Sequence, residues 1–127
     1  MPHYTVHLTE DALDGTVEAE LIRALADAVG SVYGERLRGL VGVDLIGIPR
    51  HRRGIGGIPT DKIAPSVTLS MREAAYHLPQ VPDAVPRLIG ATTDAVAAVL
   101  GEDVRAQTIV SIAGVPDGRT GVAGAVA

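Results

Sequence analysis

The chain contains no cysteine, no tryptophan and no phenylalanine, and three tyrosines are its only aromatic residues. Without thiols there is no disulfide, no cysteine-based metal site and no thiol nucleophile. With so few aromatics, the interior has to be built from Val, Leu, Ile and Ala. An excess of cations is lacking as well: eleven Lys and Arg against fifteen Asp and Glu leave a formal net charge of −4. That balance disfavours a general electrostatic affinity for nucleic acid or for an anionic membrane. No apolar run approaches the roughly 20 residues that a membrane span needs. The start, Met1-Pro2-His3-Tyr4, has neither the basic residues nor the apolar stretch of a secretory signal, so the cytoplasm is the expected compartment.

What is present is a globular composition, 46% hydrophobic against 20% charged, in a length of 127 residues that suits one domain over 1–127. Within it the sequence repeats. Shifted by 67, residues 32–57 overlie 99–124 with identities at Val32/Val99, Gly34/Gly101, Glu35/Glu102, Arg38/Arg105, Val43/Val110, Gly47/Gly114, Pro49/Pro116, Arg52/Arg119, Gly54/Gly121 and Gly57/Gly124. Upstream the shift is 63, pairing Pro2 with Pro65, Thr5 with Thr68 and Glu10 with Glu73. The second copy therefore carries four extra residues between Glu73 and Pro86. The expected repeats are 2–57 and 65–124.

Each unit reads as strand, helix, strand and Gly-rich hairpin. Residues 2–8 alternate with period two, and 67–71 do so in the second copy. Leu21, Ile22, Leu25, Val29 and Val32 form one apolar helical stripe capped by Thr16 and ended by Gly34. Leu88, Ile89, Thr92, Val96 and Val99 form the other, capped by Asp83, with Pro86 tolerated in the first turn. Residues 41–48 and 107–115 are the second strand of each unit. Two right-handed β-α-β crossovers side by side predict an α+β fold, a four-stranded mixed sheet with both helices on one face. Nothing remains in the chain to cover the other face, which predicts an oligomer.

Pro2 directly after the initiator Met, the strand Pro2-His3-Tyr4-Thr5-Val6-His7-Leu8 and the run Ile48-Pro49-Arg50-His51-Arg52-Arg53-Gly54-Ile55-Gly56-Gly57, all on a duplicated unit, resemble the tautomerase superfamily. Nearly the whole chain is similar to a 4-oxalocrotonate tautomerase fused head to tail with a copy of itself. The resemblance implies a catalytic N-terminal proline, no cofactor and no metal, a ring of three subunits, and a small carbonyl or carboxylate substrate. The departures are specific. The family pattern has arginines where this sequence has Ala12 and Gly42, and an aromatic where it has Arg53. The dehalogenase and decarboxylase branches place two arginines after the third strand, matched here by Arg72 and departed from by Ala75.

With Met1 removed, the Pro2 nitrogen is a secondary amine. The reference α-amino pKa of about 7.7 to 8.0 falls with burial and nearby cations, which makes a base near neutrality. A proline that merely starts an edge strand is the bland alternative. Arg72, ending the third strand, is read either as a holder of a substrate carboxylate or as a solvated strand-end charge. Arg52 and Arg119 are equivalent in the two hairpins and, with Arg53, are candidates for the substrate anion, against the alternative of solubilising a loop. Tyr4 and Tyr76 are candidate donors to an enolate, although Tyr4 shares its strand face with Val6 and Leu8 and so can equally be packed. His3 and His7 share one strand face but have no carboxylate at ligand spacing, and read as surface or interface residues. Asp44 is a second acid or an intersubunit partner. The basic run 50–53 is not kept in the second copy and has no interleaved aromatic, which argues against nucleic acid. The expected activity is a tautomerase or isomerase with Pro2 as general base and Arg72 and the hairpin arginines stabilising the oxyanion. The alternatives are Pro2 as general acid in hydration, dehalogenation or decarboxylation, and a non-catalytic binding module.

Overall fold

A computed structural model describes residues 1–127. Strand β1 (His3–Thr9) leads to helix α1 (Val17–Tyr33), a short α2 (Glu35–Arg38) and β2 (Gly42–Ile48). A hairpin of β3 (Gly54–Ile55) and β4 (Ile58–Pro59) follows. Then come β5 (Ser66–Arg72), α3 (Ala84–Leu100), β6 (Ile109–Val115) and a second hairpin of β7 (Gly121–Val122) and β8 (Ala125–Val126). β5 lies 63 residues beyond β1, and α3, β6, β7 and β8 each lie 67 beyond their counterparts, so the extra length falls in 73–83.

The sheet runs β2-β1-β5-β6, with β1 antiparallel to β5 in the middle and each edge strand parallel to its own neighbour. This is the expected α+β architecture with a four-stranded mixed sheet. Alternation decides its faces: Tyr4, Val6, Leu8, Val67, Leu69 and Met71 point to one side and are buried under the helices. Leu21, Leu25 and Val29 of α1 and Leu88, Thr92 and Val96 of α3 meet them there. Ile22 and Ile89, expected on those stripes, turn outward at 42% and 39% exposure, because each sits about 100° around the helix from the buried residue before it.

The helix starts differ from expectation. Asp14, not Thr16, caps α1: its Oδ1 accepts from the Thr16 and Val17 backbone N–H groups at 2.9 and 3.0 Å. Those bonds hold its carboxyl below the usual Asp range. Asp83 makes no side-chain cap bond and sits in the left-handed region at φ 55°. Pro86, third in α3, has no N–H for a capping oxygen to accept from.

Both hairpins turn on two residues with positive φ, Gly56-Gly57 and Ala123-Gly124, as a two-residue loop matching the strand twist requires. The sheet face away from the helices is largely polar, carrying Thr5, His7, Asp44, Thr68 and Ser111. That face also carries the exposed Ile46 and Ile109, in register with His7 and Ser66 on the edge strands, and further exposed apolar side chains, Ile55, Ile58, Val122 and Val126, lie on the hairpins. No helix is long and apolar enough to cross a membrane.

Candidate active site

Pro2 is buried at the mouth of β1, where its carbonyl accepts from the Gly42 N–H at 2.9 Å. That bond extends the β1–β2 ladder by one step and fixes the proline at the strand end. Beside it lies a cavity of about 280 Å³ lined by Met1, Pro2, Leu37, Leu40, Met71, Arg72 and Ala75. Three stretches far apart in sequence meet there: the N-terminus, the turn after α1, and the end of β5 with the turn that follows. Pro2 and Arg72 are thus brought to one cavity, and Arg72 is its only charged lining residue. Arg72 is exposed, and no carboxylate lies within ion-pair distance of it.

The other candidates lie elsewhere. Tyr4 is 0% exposed, and its hydroxyl is 2.7 Å from Thr92 Oγ1 inside the core. Burial pushes its phenol up to about 12, the Thr92 bond acting in the opposite direction. Tyr4 is therefore a core residue and not part of the cavity, because even positions of β1 face the helices. Arg53 donates to the Ile63 carbonyl at 3.2 Å and to the Ala64 carbonyl. Desolvation pulls its pKa below the usual arginine value. Two of its five N–H donors hold the connection leading into Pro65, so within the chain it acts as a structural clamp. Arg52 and Arg119 are exposed on their loops and line no part of the Pro2 cavity. Arg50, by contrast, is paired with Asp11.

On the open sheet face His3 Nε2 and Asp44 Oδ2 are 2.9 Å apart. The His3 ring lies over Gly42, where an added Cβ would come 2.6 Å from Nδ1. No three His, Asp or Glu side chains converge closely enough to hold a metal ion. Tyr76, the other enolate candidate, donates to the Ala113 carbonyl at 2.8 Å, and burial raises its phenol pKa.

Pro65 repeats the backbone environment of Pro2, its carbonyl accepting from the Ile109 N–H at 2.9 Å. Its nitrogen is the amide of a mid-chain bond, with Ala64 and the Arg53 clamp standing where Pro2 has Met1 before it.

Two parts of the cavity escaped sequence reasoning. Leu37 and Leu40 lie outside the periodic stripe of α1, and only their i, i+3 spacing in an otherwise polar turn hinted at a shared apolar surface, on which Leu37 is partly buried and Leu40 is exposed. Tyr33 donates to the Ala75 carbonyl at 2.8 Å across 42 residues, a contact no local pattern encodes.

No protein-family model and no curated protein matches this sequence. Solved structures do match its fold. A native fused 4-OT superposes with a TM-score of 0.82 at 24% identity, covering 98% of this chain and 94% of that one. A fused 4-OT described as an asymmetric trimer gives 0.81 at 25%, again covering 98% and 94%. A member of the cis-3-chloroacrylic acid dehalogenase family gives 0.79 at 17%, covering 98% and 82%.

Proposed function

We propose that this chain, which has the fold of the tautomerase superfamily, is a cofactor-independent tautomerase whose general base is the Pro2 nitrogen. The observation that carries the reading is the convergence of Pro2 and an unpaired Arg72 on one apolar cavity. Removal of Met1 frees the amine. Burial among Leu37, Leu40 and Met71 and the nearby guanidinium both favour its neutral form, which is the form a base needs. Pro2 takes a proton from an enol hydroxyl or from carbon beside a carbonyl and returns it to another carbon. Arg72 holds the carboxylate and the charge that develops on oxygen. The ring of proline keeps the nitrogen in place, and its carbonyl bond to Gly42 anchors it from the other side.

We read the assembly as a homotrimer: the exposed apolar residues of the hairpins and edge strands are surface that association would bury. One fused 4-OT of the same fold is itself described as a trimer.

Pro2→Ala is the direct test. It should lower turnover of an enol acid by about 10²-fold to 10⁴-fold with the fold intact, while Pro65→Ala leaves turnover unchanged. Intact mass reports whether Met1 is removed. A fully active protein that retains Met1 refutes the mechanism, because an amide nitrogen has no basic lone pair.

A further inference from the structure

The cavity beside Pro2 carries one charged side chain. That is Arg72, and the side chains of the other lining residues, Met1, Pro2, Leu37, Leu40, Met71 and Ala75, are apolar. A free guanidinium at the rim of such a cavity can neutralise one carboxylate. A second carboxylate on the same molecule would lie against apolar side chains without gaining a partner cation.

One wall is also unusually well fixed. Ala75 belongs to the connection 73–83 between β5 and α3, four residues longer than the equivalent 10–16. Tyr33 donates to the Ala75 carbonyl and Tyr76 to the Ala113 carbonyl, each at 2.8 Å. Two of the three aromatic residues of the chain thus fasten this one connection. Ala75 presents only a methyl group there, so the space in front of it is held open by a rigid backbone.

We infer that the site selects monoanions with an apolar body over dianions, with Ala75 setting how large that body can be and Tyr33 acting as the positioning residue for Ala75. The inference rests on the Pro2 reading.

Protein lacking Met1 is assayed for ketonisation of three enol acids: 2-hydroxy-2,4-pentadienoate, a small monoanion; 2-hydroxymuconate, the same diene with a second carboxylate; and phenylenolpyruvate, a monoanion with a bulky apolar body. Either monoanion should exceed 2-hydroxymuconate in kcat/KM by about tenfold or more. Ala75→Leu should raise KM for phenylenolpyruvate about tenfold and leave that for 2-hydroxy-2,4-pentadienoate within about threefold. Tyr33→Phe should raise KM for phenylenolpyruvate more than it lowers kcat, a split that a general loss of stability does not produce.

Equal or better turnover of 2-hydroxymuconate overturns the charge selection while leaving the Pro2 reading standing, and points to a second cation arriving from another copy. A uniform effect of Ala75→Leu on all three substrates overturns the size assignment. If none of the three is converted although the Pro2 amine is free, the Pro2 reading fails and the selection fails with it.

Discussion

Tyr4→Phe separates a core role from a catalytic one. The substitution removes a single hydroxyl whose partner, Thr92 Oγ1, is itself 0% exposed. Loss of the bond costs about 1 kcal/mol, rising to about 3 kcal/mol if the Thr92 oxygen finds no other partner in the closed core. A second signature lies in pH. Burial raises the Tyr4 phenol from 10.0 to about 12, so the folded chain keeps a proton that the unfolded chain releases above pH 10. Between those values the native state binds more protons than the unfolded state, and stability must fall as pH rises. The stabilisation is fully present below pH 10 and is lost by about pH 12, with a total near 3 kcal/mol for that displacement. Urea unfolding of the parent and of Tyr4→Phe at pH 8 and at steps from pH 9.5 to 12 measures both effects. The variant should start less stable and lose less on going alkaline, keeping the part of the slope that belongs to Tyr33 and Tyr76, whose phenols burial also raises. Its kcat/KM at neutral pH should equal that of the parent, because the side chain faces the helices. Unchanged stability at pH 8, or an alkaline slope identical to the parent's, would refute the burial argument. A fall in kcat/KM without loss of stability would put Tyr4 back in the site.

Arg72→Ala should cost about 2 kcal/mol or more in kcat/KM towards an acidic substrate, because it removes the one charged group lining the cavity, while the unfolding midpoint stays put. Steady-state kinetics beside a melting curve decides this. Arg53→Ala should do the reverse, lowering stability by about 1 to 3 kcal/mol by orphaning the Ala64 carbonyl, the Ile63 carbonyl keeping its bond from the Thr9 N–H, and leaving kcat unchanged; a drop in activity at full stability would count against the clamp. Light scattering at micromolar concentration should give the mass of three chains, and Ile58→Asp on the exposed hairpin should lower it; a parent that runs as a monomer sinks the assembly proposal.

Much of the architecture was legible from the sequence because it is written in short periods. Alternation in Tyr4, Val6 and Leu8 places a strand face, and the spacing of Leu21, Leu25 and Val29 places a helix face, without knowledge of any distant residue. Repetition at offsets of 63 and 67 tells which segments are alike, and a strand-helix-strand unit has essentially one handedness of crossover. The proline next to the initiator Met and the arginine closing the third strand stood out for the same local reason.

What tertiary structure alone decided is how side chains spend their bonding capacity. Arg53 and Arg72 are the same residue in comparable positions at the end of an element. One is drawn into the Ile63 and Ala64 carbonyls and partly desolvated; the other stays unpaired over a cavity. Tyr4 and Tyr33 both present a phenol, yet one bond locks the core and the other holds a cavity wall. The cavity joins residues 1–2, 37–40 and 71–75, and only the packing of the chain brings them into contact. Local periodicity determines which face a residue occupies, while hydrogen-bond partners and free volume depend on residues tens of positions away.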